Sequence, residues 1–184
     1  MLNAYAGTQF AGRLFKPESN PQHFHFAHSE PCPVASAVSL TMPVVNEHYA
    51  SDYKALHPVF DMNLPEGALH DRLRKEFSKV IPHFDALSLL KIVGKSQIGR
   101  LRFAMPGEEL AEVPTENLNE LLAHDGAEGL FESLLSRFAI HSGISGAQPK
   151  VMVRDIEHSD VPQRISHKGA THIVKAWTDD YPPG

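Results

Sequence analysis

The chain has 184 residues, of which 42% are apolar and 21% charged, so it can fill a hydrophobic core and is not disordered throughout. Lys and Arg number 17 against 22 Asp and Glu, a net charge of −5, which is poorly suited to binding a nucleic-acid backbone unaided. With 14 Pro and 12 Gly, long helical bundles are excluded. A single cysteine, Cys32, excludes an internal disulfide and fits the reducing cytoplasm. Neither a signal peptide nor an apolar run of about 20 residues, the length that crosses a bilayer, is present.

The first 45 residues predict short strands separated by turns. The stretch His23-Phe24-His25-Phe26 alternates polar and apolar side chains, which is typical of a half-buried strand. The stretch from Val38 to Met42, between the prolines at 33 and 43, predicts one more short strand. We therefore expect the N-terminal region to contribute most of a small sheet.

From Leu64 onward the apolar period changes from two to four residues. Pro65 and Glu66 open a predicted helix in which Leu69, Leu73 and Phe77 form one apolar stripe. A second helix begins at the capping residue Asp85 and ends at Gly94. A strand from Arg100 to Met105 then completes the first unit. These elements predict an α+β fold with a small, mostly antiparallel sheet and two packed helices.

The second half of the chain begins after a predicted linker from Pro106 to Thr115. A helix follows, with its apolar face between Leu130 and Phe138. Strands are predicted at Val151 to Val153 and at Ile173 to Lys175. We therefore divide the chain into two units, residues 1–110 and 115–184.

A loop of small residues from Gly143 to Gly146 carries the chemistry of the second unit. Glycine, serine and alanine let backbone N–H groups approach a phosphate closely. Twenty-nine residues after Gly146, Lys175 ends a β-branched strand. Protein kinases hold ATP with a glycine-rich hairpin and a strand lysine. The spacing alone leaves ordinary strand lysines as the alternative for both Lys150 and Lys175.

These residues resemble the HipA proteins, bacterial serine/threonine kinases that act as toxins of type II toxin–antitoxin modules. The resemblance begins with Gly143-Ile144-Ser145-Gly146-Ala147-Gln148-Pro149-Lys150 and Thr171-His172-Ile173-Val174-Lys175. It continues in the first unit at Asp61-Met62-Asn63-Leu64-Pro65-Glu66-Gly67, Leu87-Ser88-Leu89-Leu90 and Ile98-Gly99-Arg100-Leu101. It implies a HipA-like N-terminal subdomain followed by an incomplete, β-rich kinase N-lobe.

The resemblance also implies a role for individual residues. Ser145, Gly146, Ala147 and Gln148 would form the loop over the ATP phosphates, and Lys175 would contact the α- and β-phosphates. A serine of this loop can be autophosphorylated in the family, which blocks ATP. Its usual position corresponds to Gly143, so Ser145 and Ser142 are the local candidates.

The resemblance implies ATP and Mg²⁺ as cofactors of the complete kinase. It further implies a helix-turn-helix antitoxin (HipB-like) as partner and a protein substrate such as an aminoacyl-tRNA synthetase, with no direct contact to nucleic acid or membrane. Nothing in this chain resembles a catalytic loop or a Mg²⁺-binding motif, and Asp179 and Asp180 follow Lys175 too closely to serve. We therefore expect a truncated kinase, with no catalytic or metal-binding residue in this chain and no tight cofactor binding by it alone.

Two other classes of function stay open. A non-catalytic, antitoxin-like subunit could bind and restrain a partner kinase, although such a subunit would normally end before the glycine-rich loop. An isolated nucleotide-binding module is the third hypothesis. It lacks the second lobe that encloses adenine, so its affinity for ATP would be weak.

Several further residues receive structural interpretations. His23, His25 and His28 lie near Cys32; a zinc site is one interpretation and surface histidines are the other, which we favour. Cys32 is interpreted as a half-buried small residue rather than a nucleophile. The basic residues Arg72, Arg74 and Lys75 are assigned to the exposed face of their helix, and the glutamates at 108, 109, 112 and 116 to a solvated linker.

Overall fold

The computed structural model describes residues 1–52, 54–97, 99–110, 115–117, 127–143, 148, 150–155 and 171–175. In this part of the chain the strands form two sheets, one of five strands and one of three. The predicted linker is only partly described, because residues 111–114 lie outside these ranges. The predicted division into units 1–110 and 115–184 remains a prediction.

The larger sheet is antiparallel throughout and has the strand order β4-β3-β2-β1-β5. Its strands are β1 (Leu2–Ala6), β2 (Gln9–Phe15), β3 (His25–His28), β4 (Tyr49–Ala50) and β5 (Leu101–Ala104). Strand β5 therefore returns from far along the chain to pair with β1. This sheet and its helices confirm the predicted α+β fold with a mostly antiparallel sheet.

The described helices are α1 (Pro58–Asp61), α2 (Gly67–Phe77), α3 (Ala86–Val93) and α4 (Ala127–Phe138). Helix α2 buries the stripe formed by Leu69 and Leu73, as predicted. The carboxylate of Asp85 accepts a hydrogen bond of 2.8 Å from the Ser88 N–H and caps α3. It also forms an ion pair with Lys16 of the segment after β2. No helix among the described residues is long and apolar enough to cross a membrane.

The smaller sheet places β7 (Lys150–Asp155) between two short neighbours. Strand β6 (Thr115–Glu116) runs parallel to it, and β8 (His172–Lys175) runs antiparallel. The strands predicted around Val151 and Ile173 are thus confirmed as one antiparallel pair. Thr171 extends this pairing, because its backbone N–H donates to the Val153 carbonyl at 3.0 Å.

Apolar residues of both halves of the chain belong to one core cluster. Leu134 and Phe138 of α4 and Met152 of β7 join the cluster that contains the buried faces of the larger sheet and of α2 and α3. An exposed ion pair also joins α2 to α4, because the Arg72 guanidinium donates to the Glu132 carboxylate at 2.7 Å. Arg72, assigned to the exposed face of its helix, is half-exposed there and links α2 to α4.

Two predictions for the N-terminal region need correction. The strand predicted from Val38 to Met42 is absent among the described residues, where only an isolated bridge joins Ser39 to Met42. Val38 and Met42 are buried, but Leu40 between them is fully exposed, so the three side chains do not share one face as they would in a strand. Strand β3 begins at His25, two residues later than the pattern indicated.

His28 is buried, so the expectation that all three clustered histidines lie at the surface is wrong for this one. Only 9% of its surface is exposed, and both ring nitrogens lack a hydrogen-bond partner. Its ring lies edge-on to Phe26 at 4.9 Å between centroids and to Tyr49 at 5.9 Å. Burial lowers the pKa of His28, because a charged imidazolium is poorly solvated there. The fold therefore keeps this ring neutral.

We expect the fold to lose stability as the pH falls through about 6.5, the ordinary histidine pKa. Below that value the unfolded chain takes up a proton that folded His28 resists, so protons favour unfolding. The substitution His28→Phe keeps an aromatic ring and should flatten this dependence. Urea unfolding at pH 7.5 and 5.5 measures it.

The matched control is His83→Asn, at an exposed position whose φ of 55° asparagine tolerates. It should leave the dependence on pH unchanged. The free energy of unfolding will still depend partly on pH in both variants, because burial and then the charge of Lys95 also lower the pKa of His141. The same dependence of unfolding free energy on pH in wild type and in His28→Phe would contradict the contribution assigned to His28.

Candidate functional site

Lys175, the lysine of the predicted nucleotide site, lies opposite Lys150 across the β7–β8 pair. Lys150, the first residue of β7, is the register partner of Lys175, the last residue of β8. Lys150 is 8% exposed, whereas Lys175 is exposed to solvent. We call this pair of strands with its two lysines the lysine hairpin. It brings two cationic groups to the end of the sheet where the predicted loop arrives.

The electrostatics of the lysine hairpin favour an anion. Burial, and then the charge of Lys175, lower the pKa of Lys150, while the carboxylate of Glu66 opposes this shift. Like charges at directly opposite positions destabilise a strand pair. A negatively charged group bound beside both lysines would remove that repulsion. The chemistry of this donor set fits a phosphate group.

The predicted loop starts beside the strand into which it leads. Ser142, at its start, donates from Oγ to the Phe138 carbonyl at 2.7 Å and accepts from the Met152 N–H at 2.9 Å. Met152 lies only two residues after Lys150, where the loop has ended. A hydrogen bond therefore joins the residue at which the loop starts to the strand that follows it.

The next residue, Gly143, has no room for a side chain. It forms a parallel bridge with Gln97, and a Cβ built on Gly143 would lie 2.2 Å from the Gln97 Nε2. We call Ser142 and Gly143 together the loop root. A side chain at position 143 would therefore collide with the Gln97 amide.

The structure describes some of the predicted site residues, and others lie outside the described ranges. Lys150, Lys175 and the loop root lie along the same strand pair, and Gln148 is half-buried shortly before Lys150. Ser145, Gly146 and Ala147 lie outside the described residues. Ser142 is completely buried, so its hydroxyl is inaccessible unless the loop root opens. Their roles in binding ATP or accepting phosphate remain predictions.

Sequence reasoning missed the part that the first half of the chain plays at this site. Gln97 contacts the loop root, and the charge of Glu66, at the N-cap of α2, acts on Lys150. Gln97 belongs to no motif, and Glu66 belongs to one that carried no role at this site; both come from elements far from Lys150 in sequence. Only the packing of the two halves could reveal them.

A separate cleft of about 480 Å³ lies between α1, α2 and the start of α3. Its polar lining residues are Asp61, Glu66, His70, Arg74 and Asp85. Lys150 and Lys175 do not line it, so this cleft is distinct from the lysine hairpin. In the part of the chain that is described, no group of three or more His, Cys, Asp or Glu side chains is placed to hold a metal ion.

Taken together, the fold and site define an α+β protein in which the larger sheet and the lysine hairpin contribute to one hydrophobic core, with the loop root closed beside the hairpin. Over residues 2–104 the chain matches the family model of the HipA N-terminal domain. This match covers more than half of the 184 residues, and the chain belongs to that family. No curated protein matches the chain. The resemblance drawn from the motifs is therefore confirmed at the level of the family.

Proposed function

We propose that the chain is the N-terminal portion of a HipA-like toxin serine/threonine kinase, which phosphorylates a bacterial protein with ATP. The observation that carries the proposal is the cross-strand pairing of Lys150 with Lys175 beside a closed loop root. It stands in a chain that belongs to the HipA N-terminal domain family. Phosphoryl transfer depends on positioning and charge stabilisation, and two convergent lysines supply charge.

In this proposal each part of the site has a separate task. Ser145, Gly146, Ala147 and Gln148 supply the loop over the phosphates, and Lys175 contacts the α- and β-phosphates. Mg²⁺ bound with ATP neutralises charge on the phosphates. The catalytic base and the carboxylates for Mg²⁺ would come from a helical C-terminal lobe. This chain alone would bind ATP weakly and transfer no phosphate.

Autophosphorylation of the loop is a further element of the proposal. Of the two candidate serines, Ser142 holds the Met152 N–H and the Phe138 carbonyl through its hydroxyl. Attaching a phosphate there would break both bonds and place a dianion in a buried space. Ser145 is therefore the residue we propose as the acceptor.

The proposed partners follow from the family and from charge. A helix-turn-helix antitoxin (HipB-like) would supply DNA binding, and the net charge of −5 suits a protein that leaves this task to a partner. The proposed substrate is a cytoplasmic bacterial protein, for which an aminoacyl-tRNA synthetase is the family precedent.

The alternative function is a non-catalytic subunit that binds and restrains a partner kinase. It is favoured by the extent of the family match, which covers only the N-terminal domain over residues 2–104. The lysine hairpin argues against it, because a subunit of this kind has no use for paired phosphate-binding lysines.

The decisive experiment uses the product of the entire reading frame that contains this chain. Purified with its natural partners, it should transfer labelled phosphate from ATP to protein. The substitution Lys175→Ala should reduce the rate at least about 100-fold, since a group that contacts the transferred nucleotide's phosphates is lost. Lys79→Ala, at an exposed lysine outside the hairpin, is the matched control and should leave the rate unchanged.

Two results would contradict the kinase proposal. One is a full product that transfers no phosphate but co-purifies with a separate kinase, which would support the restraining subunit. The other is equal activity of wild type and Lys175→Ala. For the 184-residue chain alone, micromolar ATP binding in calorimetry would contradict the expected weak affinity and favour an isolated nucleotide-binding module.

A further inference from the structure

Gln97 connects the family-matched domain to the loop root. It follows the turn after α3 and lies seven residues before the end of the region matched by the family model. Its backbone forms a parallel bridge with Gly143. Its side-chain Nε2 donates to the Val93 carbonyl at 3.1 Å, which ties the amide to the last turn of α3. The loop root is thus held from the N-terminal domain as well as from β7.

The contact leaves no space between the two residues. A Cβ on Gly143 would lie 2.2 Å from Nε2, 2.4 Å from Cδ and 2.5 Å from Oε1 of Gln97. The amide cannot swing aside freely, because it is 2% exposed and bonded to Val93. Close packing of this kind transmits a displacement instead of absorbing it. A shift of Gln97 would therefore move Gly143.

The Gln97 amide is also held at an energetic cost. Its Oε1 is buried and has no hydrogen-bond partner. Buried polar atoms in native proteins are nearly always satisfied, so an exception calls for an explanation. An apolar side chain of similar size would avoid the cost of this unpaired acceptor. A function for the amide at this contact explains why the group is present.

We propose that Gln97 is a positioning residue through which the N-terminal domain sets the start of the phosphate-binding loop. It holds Gly143 against the end of α3 while Ser142 is held by α4 and β7. The affinity of the lysine hairpin for a polyphosphate therefore depends on a residue of the N-terminal domain. This inference rests on the proposed function of the hairpin.

The first measurement tests the contact without any ligand. Exchange of the Met152 N–H, which bonds to Ser142 Oγ, is followed by NMR in the 184-residue chain. We expect Gly143→Ala to accelerate exchange about tenfold and Gln97→Ala about threefold through local opening of the loop root. The double variant should resemble Gln97→Ala, because removing the amide removes the clash. If Gly143 needed only to be small, the Met152 N–H would exchange as fast in the double variant as in Gly143→Ala.

Gly129→Ala is the matched control, since a Cβ at this position of α4 meets nothing within 4 Å. It should leave Met152 exchange unchanged. Amides of β1 and β2 report global unfolding and should exchange alike in all variants. If Gly143→Ala fails to fold, Gln97→Ala and the double variant still test the coupling.

The second measurement is a titration with tripolyphosphate followed by NMR. We expect Gly143→Ala to weaken binding about tenfold and the double variant to restore it to within about threefold of wild type, in the range of couplings between contacting residues. The same acceleration of exchange by Gly143→Ala with and without Gln97 would overturn the inference. So would a wild-type affinity that none of the variants changes, although the proposed function would then stand. No binding of tripolyphosphate by any form, with the exchange coupling present, would overturn the role of Gln97 in phosphate binding, whereas the proposed function, in which this chain alone binds ATP weakly, would stand.

Discussion

Replacing Phe60 by alanine is expected to lower the free energy of unfolding by about 3–5 kcal/mol, the usual range for a buried phenylalanine. Phe60 of α1 is fully buried. Its ring centroid lies 5.1 Å from that of Phe26 on β3 and 6.0 Å from that of Phe103 on β5. The Phe60 ring therefore contacts side chains of two strands that β2 and β1 separate in the sheet.

Urea unfolding followed by circular dichroism measures this loss. Met62→Ala is the control, because Met62 follows closely in the chain but is 70% exposed. Its effect should stay within about 0.5 kcal/mol, as for most surface substitutions. A loss below about 1 kcal/mol for Phe60→Ala would mean that the space is refilled and would contradict the central position assigned to this ring.

The second large effect is expected at Gly12, where an alanine should destabilise the fold by about 3 kcal/mol, the upper end of the range for overpacking. A Cβ on Gly12 would lie 2.2 Å from the Ala27 carbonyl oxygen of β3. The register between β1 and β2 shifts just before this point, and the two strands β2 and β3 approach closely. The clash is with backbone, so relief requires separating the strands and weakening their ladder.

Gly129→Ala is again the comparison, because it adds the same methyl group in open space on a helix. It should stabilise slightly, by up to about 1 kcal/mol, since alanine is the better helix former. The difference in urea midpoint between the two glycine variants isolates the steric effect. Equal midpoints would show that β2 and β3 can move apart freely, against the geometry described.

Elements with a strong local signal could be predicted from the sequence. The Asp85 cap and the stop at Gly94 bound α3, and the stripe of Leu69 and Leu73 identified α2. The apolar face near Leu134 identified α4, since its period persists over three turns. In each case the physical cause lies within a few residues of the element itself.

Elements that depend on distant partners could not be predicted in this way. Strand β4 has two residues and exists because it pairs with β3. Helix α1 has only four residues and is placed by Phe60, whose contacts come from strands far away in sequence. The stretch around Leu40 shows the opposite failure: its β-branched and apolar composition favoured a strand, but among the described residues its only bridge is the internal one between Ser39 and Met42.

The candidate site likewise contains residues that the sequence could identify and residues that it could not. Lys175 and the small-residue loop have a recognisable spacing, and the resemblance assigned them roles. Their pairing partner Lys150 follows from the register of β7 and β8, which sequence patterns do not specify. Gln97 contacts the loop root and the charge of Glu66 acts on Lys150 only because the N-terminal domain lies against this part of the chain.

The shared core has a practical consequence for work on the N-terminal domain. A fragment ended at Ala104, where the family match stops, would lose α4 and β7 and with them Leu134, Phe138 and Met152. The faces of α2 and α3 that these residues cover would then be open to solvent, as an apolar patch of the kind that promotes aggregation. A soluble fragment should therefore extend at least through Asp155, fifty-one residues beyond the boundary that the family match alone suggests.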